Sequence, residues 1–247
     1  MLQGKATAIQ KKYGTTAFMY TEYPHKRFWE KGYQPKMDSS SPSILYVHIP
    51  YCQQLCYFCT CHIEITNNYQ KVRDYLKLLY KEIELLQKHK FNIKEVHLGG
   101  GSPTILDKEE FDELIHNLRK LVNVNTLDEF SIEIDPRRVS PPEMIHYAEN
   151  GINRISFGVQ DFDVDVQVAV NRYQPAKLIE ELIVPDIRER FSNGVNFDII
   201  CGLPKQTVTT MAMTCRETIK LKPDRICLNY LHYSPEMAKH QKMMTDL

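Results

Sequence analysis

The sequence predicts an α/β fold, an incomplete (β/α)6 TIM-type barrel of parallel strands, and three observations predict it. From Ile44 onward, short β-branched runs alternate with runs of helical period. Such alternation builds parallel strands joined by right-handed crossovers. Six βα units fit between Ile44 and Leu247, against eight in a closed barrel, so the barrel stays open. A cysteine-dense loop directly follows the first strand, at the strand C-termini where parallel sheets bind ligands.

Residues 1–43 are polar and aromatic, and read as an N-terminal extension closed by the linker-like Met37–Ser43; residues 44–247 form the core domain. The first strand is Ile44–Pro50. Val72, Tyr75, Leu76, Leu79, Ile83 and Leu86 then recur at i, i+3 and i+4, the mark of an amphipathic helix. The second strand, Glu95–Gly99, leads to a helix on Phe111, Leu114, Ile115, Leu118 and Val122. The third, Glu129–Asp135, precedes a short helix, Pro141–Asn150, stopped by Gly151. After the fourth, Arg154–Gln160, the helix over Ala176–Phe191 contains Pro185, which predicts a break there. The fifth strand, Asn196–Gly202, is followed by a helix over Thr207–Leu221, and the sixth spans Arg225–Tyr233.

Composition narrows the partners. The 31 Lys+Arg balance 31 Asp+Glu in 247 residues, which argues against a nucleic-acid partner, since phosphate binding needs clustered positive charge. A hydrophobic share of 43% with 25% charged residues describes an ordinary globular protein. No apolar run approaches the roughly 20 residues that span a bilayer. The stretch Met1–Lys5 lacks a secretory signal, and seven cysteines are an odd number for a disulfide framework. The expectation is a cytoplasmic monomer in a reducing compartment. Cys201, Cys215 and Cys227 are expected as small buried hydrophobes.

The remaining four cysteines read Cys52-x3-Cys56-x2-Cys59-x-Cys61. Three chemistries compete for them. Structural zinc prefers two separated ligand pairs, with His62 the only extra ligand nearby. A redox pair at Cys56 and Cys59 leaves Cys52 and Cys61 unexplained. An iron–sulfur cluster needs several thiolates converging from one loop, and three at this spacing would leave one iron open. Polar residues also collect at the strand ends. Gly99–Gly101 is either a tight turn or a bare backbone for close ligand approach. Glu133 and Asp198 are acids within apolar strands, each needing a ligand or an adjacent arginine as partner. Gln160 ends the fourth strand, and Arg172 is either a carboxylate clamp or a solvated residue. His232 is either a proton-transfer group or an ordinary strand-end histidine.

The stretch Tyr46–Cys61 resembles the radical S-adenosylmethionine enzymes, and most closely the oxygen-independent coproporphyrinogen III oxidases. The likeness continues through His97–Thr104, Ile132–Arg137, Gly158–Phe162, Asn171–Arg172, Asp198–Gln206 and Asn229–Tyr230, with Tyr20–Pro24 similar to a segment near that family's N-terminus. The resemblance implies a [4Fe-4S] cluster on Cys52, Cys56 and Cys59, with S-adenosylmethionine chelating the fourth iron. It implies Gly100 and Gly101 at the methionine ammonium, Arg172 at its carboxylate, Glu133 and Gln160 at the ribose, and Tyr46 packed near the cofactor. Asp198 would lie deeper, where family members hold a second S-adenosylmethionine. Cys61, no cluster ligand in the family, is the candidate catalytic residue beside the pocket.

The implied reaction is reductive cleavage of the sulfonium to a 5′-deoxyadenosyl radical, hydrogen abstraction from a propionate, and loss of CO2 to leave a vinyl group. Coproporphyrinogen III would become protoporphyrinogen IX in heme biosynthesis, with a small-molecule porphyrinogen as substrate and an electron donor serving the cluster. Heme chaperones of a related branch, or another radical enzyme acting on tetrapyrroles, are the alternatives; Cys61 and Tyr20–Pro24 favour the oxidase. Family members continue past the sixth strand into a C-terminal domain. Residues 234–247 leave room for about one helix, so the expectation is the radical-generating core without that domain.

Overall fold

The computed structural model describes Gly32 and residues 39–244. The remainder of the extension expected over 1–43, including Tyr20–Pro24, lies outside the described residues. Ser39–Leu247 forms a compact unit of its own.

Six strands form one sheet: β1 (Pro42–Ile49), β4 (Asn92–Gly100), β5 (Glu129–Ile134), β6 (Arg154–Gln160), β7 (Val195–Cys201) and β8 (Arg225–Tyr230), neighbours in that order and all parallel. Two short strands, β2 (Tyr51–Cys52) and β3 (Glu64–Ile65), pair with each other. Helices join the strands: α1 (Tyr69–Gln87), α2 (Lys108–Leu118), α3 (Pro141–Glu149), α4 (Val164–Ala169), α5 (Ala176–Leu182), α6 (Pro185–Arg188) and α7 (Val208–Leu221). This is the expected open α/β half-barrel.

Residue type decides which sheet face packs. Val96 and Leu98, Phe130 and Ile132, Ile155 and Phe157, and Val195 and Phe197 alternate along successive strands and are fully buried. They pack with Val72 and Leu76 of α1, Phe111, Leu114 and Leu118 of α2, Met144 of α3 and Ile179 of α5. The intervening positions belong to the opposite face, because strand side chains alternate. They are Tyr46 and His48, His97 and Gly99, Ser131 and Glu133, Ser156 and Gly158, and Asn196 and Asp198. Register lines these up across the sheet, Tyr46 opposite His97, His97 opposite Ser131, Glu133 opposite Ser156 and Gly158 opposite Asp198. One face is core; the other is a polar floor.

The helices begin where side chains can cap them. Asn68 accepts from Gln70 N and Asp107 from the amides of Glu109 and Glu110, while Ser140 and Glu143 form a capping box at α3. The break expected at Pro185 is present: α5 stops at Leu182, and Pro185 opens α6 at a first-turn position, where its missing N–H costs nothing.

Several expectations change. The sixth strand ends at Tyr230 rather than Tyr233, and at this edge of the sheet all six of its residues are exposed. Cys227 on that edge and Cys215 on α7 are therefore exposed, and Cys201 only partly covered, so none of the three is a buried hydrophobe. Helix α4 was not expected. In place of a C-terminal helix, Lys239–Met243 makes a tight 3-10 turn that seats Met244 among Val166, Val170 and Leu203. Among the described residues no helix is long and apolar enough to cross a membrane.

Candidate active site

The cysteine loop leaves β1 and is tied down from three directions. Glu64 N donates to Pro50 O (2.7 Å) and Thr66 N to Cys52 O (2.9 Å), so the β2–β3 pair closes its base. Tyr57 N donates to Val170 O (3.0 Å), and Asn171 Nδ2 to Leu55 O (2.8 Å). Asn171 adopts φ +55°, a left-handed conformation asparagine tolerates better than most residues. Gln54 Nε2 returns a bond to Asn171 Oδ1 (3.0 Å). From the far end of the chain, Gln241 Nε2 donates to Phe58 O (3.1 Å), and His240 Nε2 lies 2.7 Å from Cys59 O.

All four loop cysteines are free, with Cys56 buried, Cys52 and Cys59 partly covered and Cys61 exposed. Burial pushes the Cys52 thiol up to about 12. Cys59 donates to Cys61, which holds the Cys61 thiol down at about 7 and drives that of Cys59 well up.

A second group lies on the polar floor beside the loop. The Tyr46 ring stacks on His97 at 5.8 Å, and its hydroxyl lies 3.1 Å from His48 Nδ1. Burial, then the Glu133 carboxylate, pushes the Tyr46 phenol up to about 12, so it remains a neutral donor. Glu133 accepts from Gly100 N at Oε2 (3.1 Å), and its Oε1 lies 3.3 Å from His97 Nε2. Its partners are a histidine and a backbone amide, not a neighbouring arginine. The arginine of that segment, Arg137, pairs instead with Asp135. Gly101 is where the chain after β4 crosses β2: a Cβ there would stand 2.7 Å from Tyr51 O, against backbone that cannot yield.

The third group closes the other side. Arg172 is buried and donates through Nη2 and Nε to Gly158 O (2.7 and 3.2 Å) and through Nη1 to Cys56 Sγ (3.4 Å). A Cβ on Gly158 would meet Arg172 Nη2 at 2.8 Å and Gln160 Nε2 at 3.0 Å, so a larger residue there would displace the two side-chain ends that converge on it. Gln160 holds φ +68° at a register shift between β6 and β7. Such strain in a non-glycine residue clusters at functional sites. Asp198 accepts from Ser156 Oγ (3.0 Å) and Asn196 Nδ2 (2.9 Å), yet burial still raises its carboxyl above the ordinary carboxylate range.

The fold therefore brings Cys52, Cys56, Cys59, Cys61, Tyr46, Gly100, Gly101, Glu133, Gln160 and Arg172 to one mouth, with Asp198 on the same floor. His97, Arg137 and Asn171 fall within the stretches of resemblance but carry no site role there, and Gln54 and Gln241 carry none either. Arg137 sat in plain view in Asp135-Pro-Arg137, whereas Gln241 carried no motif. His232, just beyond β8, is exposed and offers its carbonyl to Gln241 Nε2 (2.7 Å).

The donor set fits an iron–sulfur cluster. Among the described residues no three His, Cys, Asp or Glu side chains stand close enough to hold a single ion. A cubane asks less convergence, because each thiolate takes its own iron. Two guanidiniums stand beside Cys56 Sγ, Arg172 at 3.4 Å and Arg137 at 3.7 Å, and their charge suits an anionic thiolate cluster.

A family model for the radical SAM superfamily matches residues 46–218, which span the cysteine loop and the floor from Tyr46 to Asp198. The chain belongs to the radical SAM superfamily. That superfamily's cofactors are a [4Fe-4S] cluster and S-adenosylmethionine. Within it, the chain is 36% identical to the oxygen-independent coproporphyrinogen III oxidases of Pseudomonas aeruginosa and Escherichia coli, over 96% of its length and 54% of theirs. The Escherichia coli coproporphyrinogen III oxidase HemN, described as a radical SAM enzyme, superposes with a TM-score of 0.77 at 37% identity, covering 83% of this chain and 47% of that one. The radical S-adenosylmethionine methyltransferase TsrM of Kitasatospora setae, at 13% identity and a TM-score of 0.56 over 80% of this chain, shares the fold alone. The chain spans about half the length of the curated relatives it matches.

Proposed function

We propose that this radical SAM chain is the radical-generating core of an oxygen-independent coproporphyrinogen III oxidase of heme biosynthesis, acting on the propionates of a porphyrinogen. One observation carries the reading: the Cys52–Cys61 loop sits at the mouth of a half-barrel whose floor presents Tyr46, Gly100, Glu133 and Gln160, and the whole assembly resembles enzymes of that activity. Cys52, Cys56 and Cys59 hold the cluster, and Cys61 is the candidate catalytic thiol beside it. When bound, the cluster and S-adenosylmethionine supply one-electron reductive chemistry that no protein side chain can.

The chain's own residues bind and orient. Gly100 and Gly101 address the methionine ammonium; their amides already donate to Glu133 Oε2 and Ile49 O, so it is their carbonyls that suit a cation. Arg172, a permanent cation beside Cys56, faces the carboxylate. Glu133, fixed by Gly100 N and His97, and Gln160, fixed by its strained backbone, receive the ribose hydroxyls. Tyr46 packs at the cofactor's side, and Asp198 lies further along the floor for a second S-adenosylmethionine. A cytoplasmic monomer served by a separate electron donor completes the reading.

The test is anaerobic reconstitution with iron and sulfide, then EPR with and without S-adenosylmethionine. A reduced cluster signal that shifts on adding the cofactor is expected; bound zinc, or a signal the cofactor leaves unmoved, sinks the reading. Chromatography of coproporphyrinogen III then separates substrate classes: 5′-deoxyadenosine without a vinyl product would point to a different substrate.

A further inference from the structure

We infer that Arg137 is a positioning residue for the cluster, donating an N–H to the Cys56 thiolate and setting the reduction potential by its charge. The inference deepens the reading above and rests on Cys56 being a cluster ligand. Arg137 lies 81 residues from Cys56 in sequence, yet its Nη2 reaches Cys56 Sγ at 3.7 Å. Its planar fork is held rigidly for that purpose. Nε donates to Asp135 Oδ1 (2.9 Å), Nη2 to Asp135 Oδ2 (2.7 Å) and Nη1 to Gln54 Oε1 (3.3 Å). The side chain is only 10% exposed and that of Asp135 13%, so solvent screens the charge weakly.

One guanidinium thus joins three things: the end of β5, the start of the cysteine loop through Gln54, and the thiol between the other two proposed ligands. Arg172 approaches the same sulfur and lies 3.7 Å from Asp135, so Cys56 stands between two cations that share one counter-ion. Arg172 is spoken for by Gly158 and, in the proposed function, by a carboxylate. Among the described residues Arg137 has no such second task. Hydrogen bonds to cluster sulfurs and local net charge are the protein's means of moving an iron–sulfur potential. One-electron reduction adds a negative charge to the cluster, and a nearby fixed cation stabilises the reduced form. Lysine would keep the charge but not the fork that reaches Asp135, Gln54 and Cys56 together.

The experiment is an EPR-monitored redox titration of reconstituted full chain, with iron content measured alongside, for wild type, Arg137→Gln and Asp135→Asn. Arg137→Gln should move the midpoint to more negative potential. Asp135→Asn, which leaves the two cations less compensated, should move it the opposite way. Loosening of the loop alone would displace both variants in the same direction, and that result, or two unmoved midpoints at full iron content, overturns the inference. If Arg137→Gln takes up no iron, Asp135→Asn decides alone, with a less negative midpoint supporting the inference and any other overturning it. Failure of the wild-type chain to take up a cluster would instead remove the proposed function itself.

Discussion

Asp135 offers the most direct test of how the mouth is held together without its cofactors. Its carboxylate accepts from Arg137 Nε and Nη2, caps the turn after β5 by accepting Arg137 N (3.1 Å), and lies 3.7 Å from Arg172. Burial pushes this carboxyl upward, but the Arg172 charge and the Arg137 hydrogen bonds outweigh burial and hold it at about 2, against an ordinary 3.8. A carboxyl whose folded pKa is depressed contributes stability that is fully present above its unfolded pKa and is lost as pH falls through the folded value. The shift corresponds to about 2 kcal/mol. An asparagine at this position would mimic the protonated acid, keeping an acceptor for Arg137 but no charge. Urea unfolding of the apo chain under reductant should therefore show Asp135→Asn less stable than wild type by about 2 kcal/mol at pH 6, the gap shrinking to about 1 kcal/mol at pH 3. Comparing the pair cancels the other carboxylates. A gap unchanged between the two pH values would refute the ion-pair argument and assign the loss to packing.

The same geometry sets three further expectations. Gly101→Ala places a methyl group 2.7 Å from Tyr51 O and should cost about 1–3 kcal/mol by urea titration while lowering iron uptake. Asn171→Ala removes both the left-handed tolerance at φ +55° and the bond to Leu55 O; thermal unfolding should show a loss of about 1–2 kcal/mol, and the reconstituted cluster should bleach faster under a chelator. Thiol labelling of the native apo chain should modify the exposed Cys61, Cys215 and Cys227 first, and reconstitution should shield Cys52, Cys56 and Cys59 while leaving Cys215 and Cys227 reactive. Shielding of Cys215 or Cys227 by the cluster would contradict the site as placed.

The elements legible in the sequence are those with a strong local period. Fully apolar alternate positions, such as Phe130 and Ile132 or Phe157 and Val159, marked strands packed on one face, and the βα rhythm then left only a parallel sheet. The same alternation concealed as much as it showed. Ser131, Glu133, Ser156 and Asp198 read as polar interruptions of buried strands, and only cross-strand register makes them one floor, since His97 meets Ser131 and Glu133 meets Ser156 across different strands. The expected cover for Cys227 failed for a related reason: local sequence says that Arg225–Tyr230 is a strand, but not that it is the sheet's edge with all six residues exposed.

The cysteine loop divides the same way. Its spacing marked a site and narrowed the chemistry to zinc, a redox pair or an iron–sulfur cluster, and the resemblance to radical S-adenosylmethionine enzymes chose among them. Its shape is set by partners far away: Asn171, Val170, Arg172, Arg137 and Gln241, reaching it across 81 to 183 residues. Arg172 stands out in the sequence as a candidate carboxylate clamp, but its reach to Cys56 does not, and Val170, Arg137 and Gln241 carry no local signal of a role at this loop. What distinguishes them is burial with their hydrogen bonds directed at one loop, Gln241 at 0% exposure being the clearest case. A loop of free thiols without regular structure would otherwise lose far more conformational entropy on binding its cluster. By fixing Leu55, Tyr57 and Phe58 beforehand, Asn171, Val170 and Gln241 move that cost from cofactor binding to folding, so damage to Asn171 or Gln241 should appear first as weak iron retention, with little change in the cluster's spectrum once iron is bound.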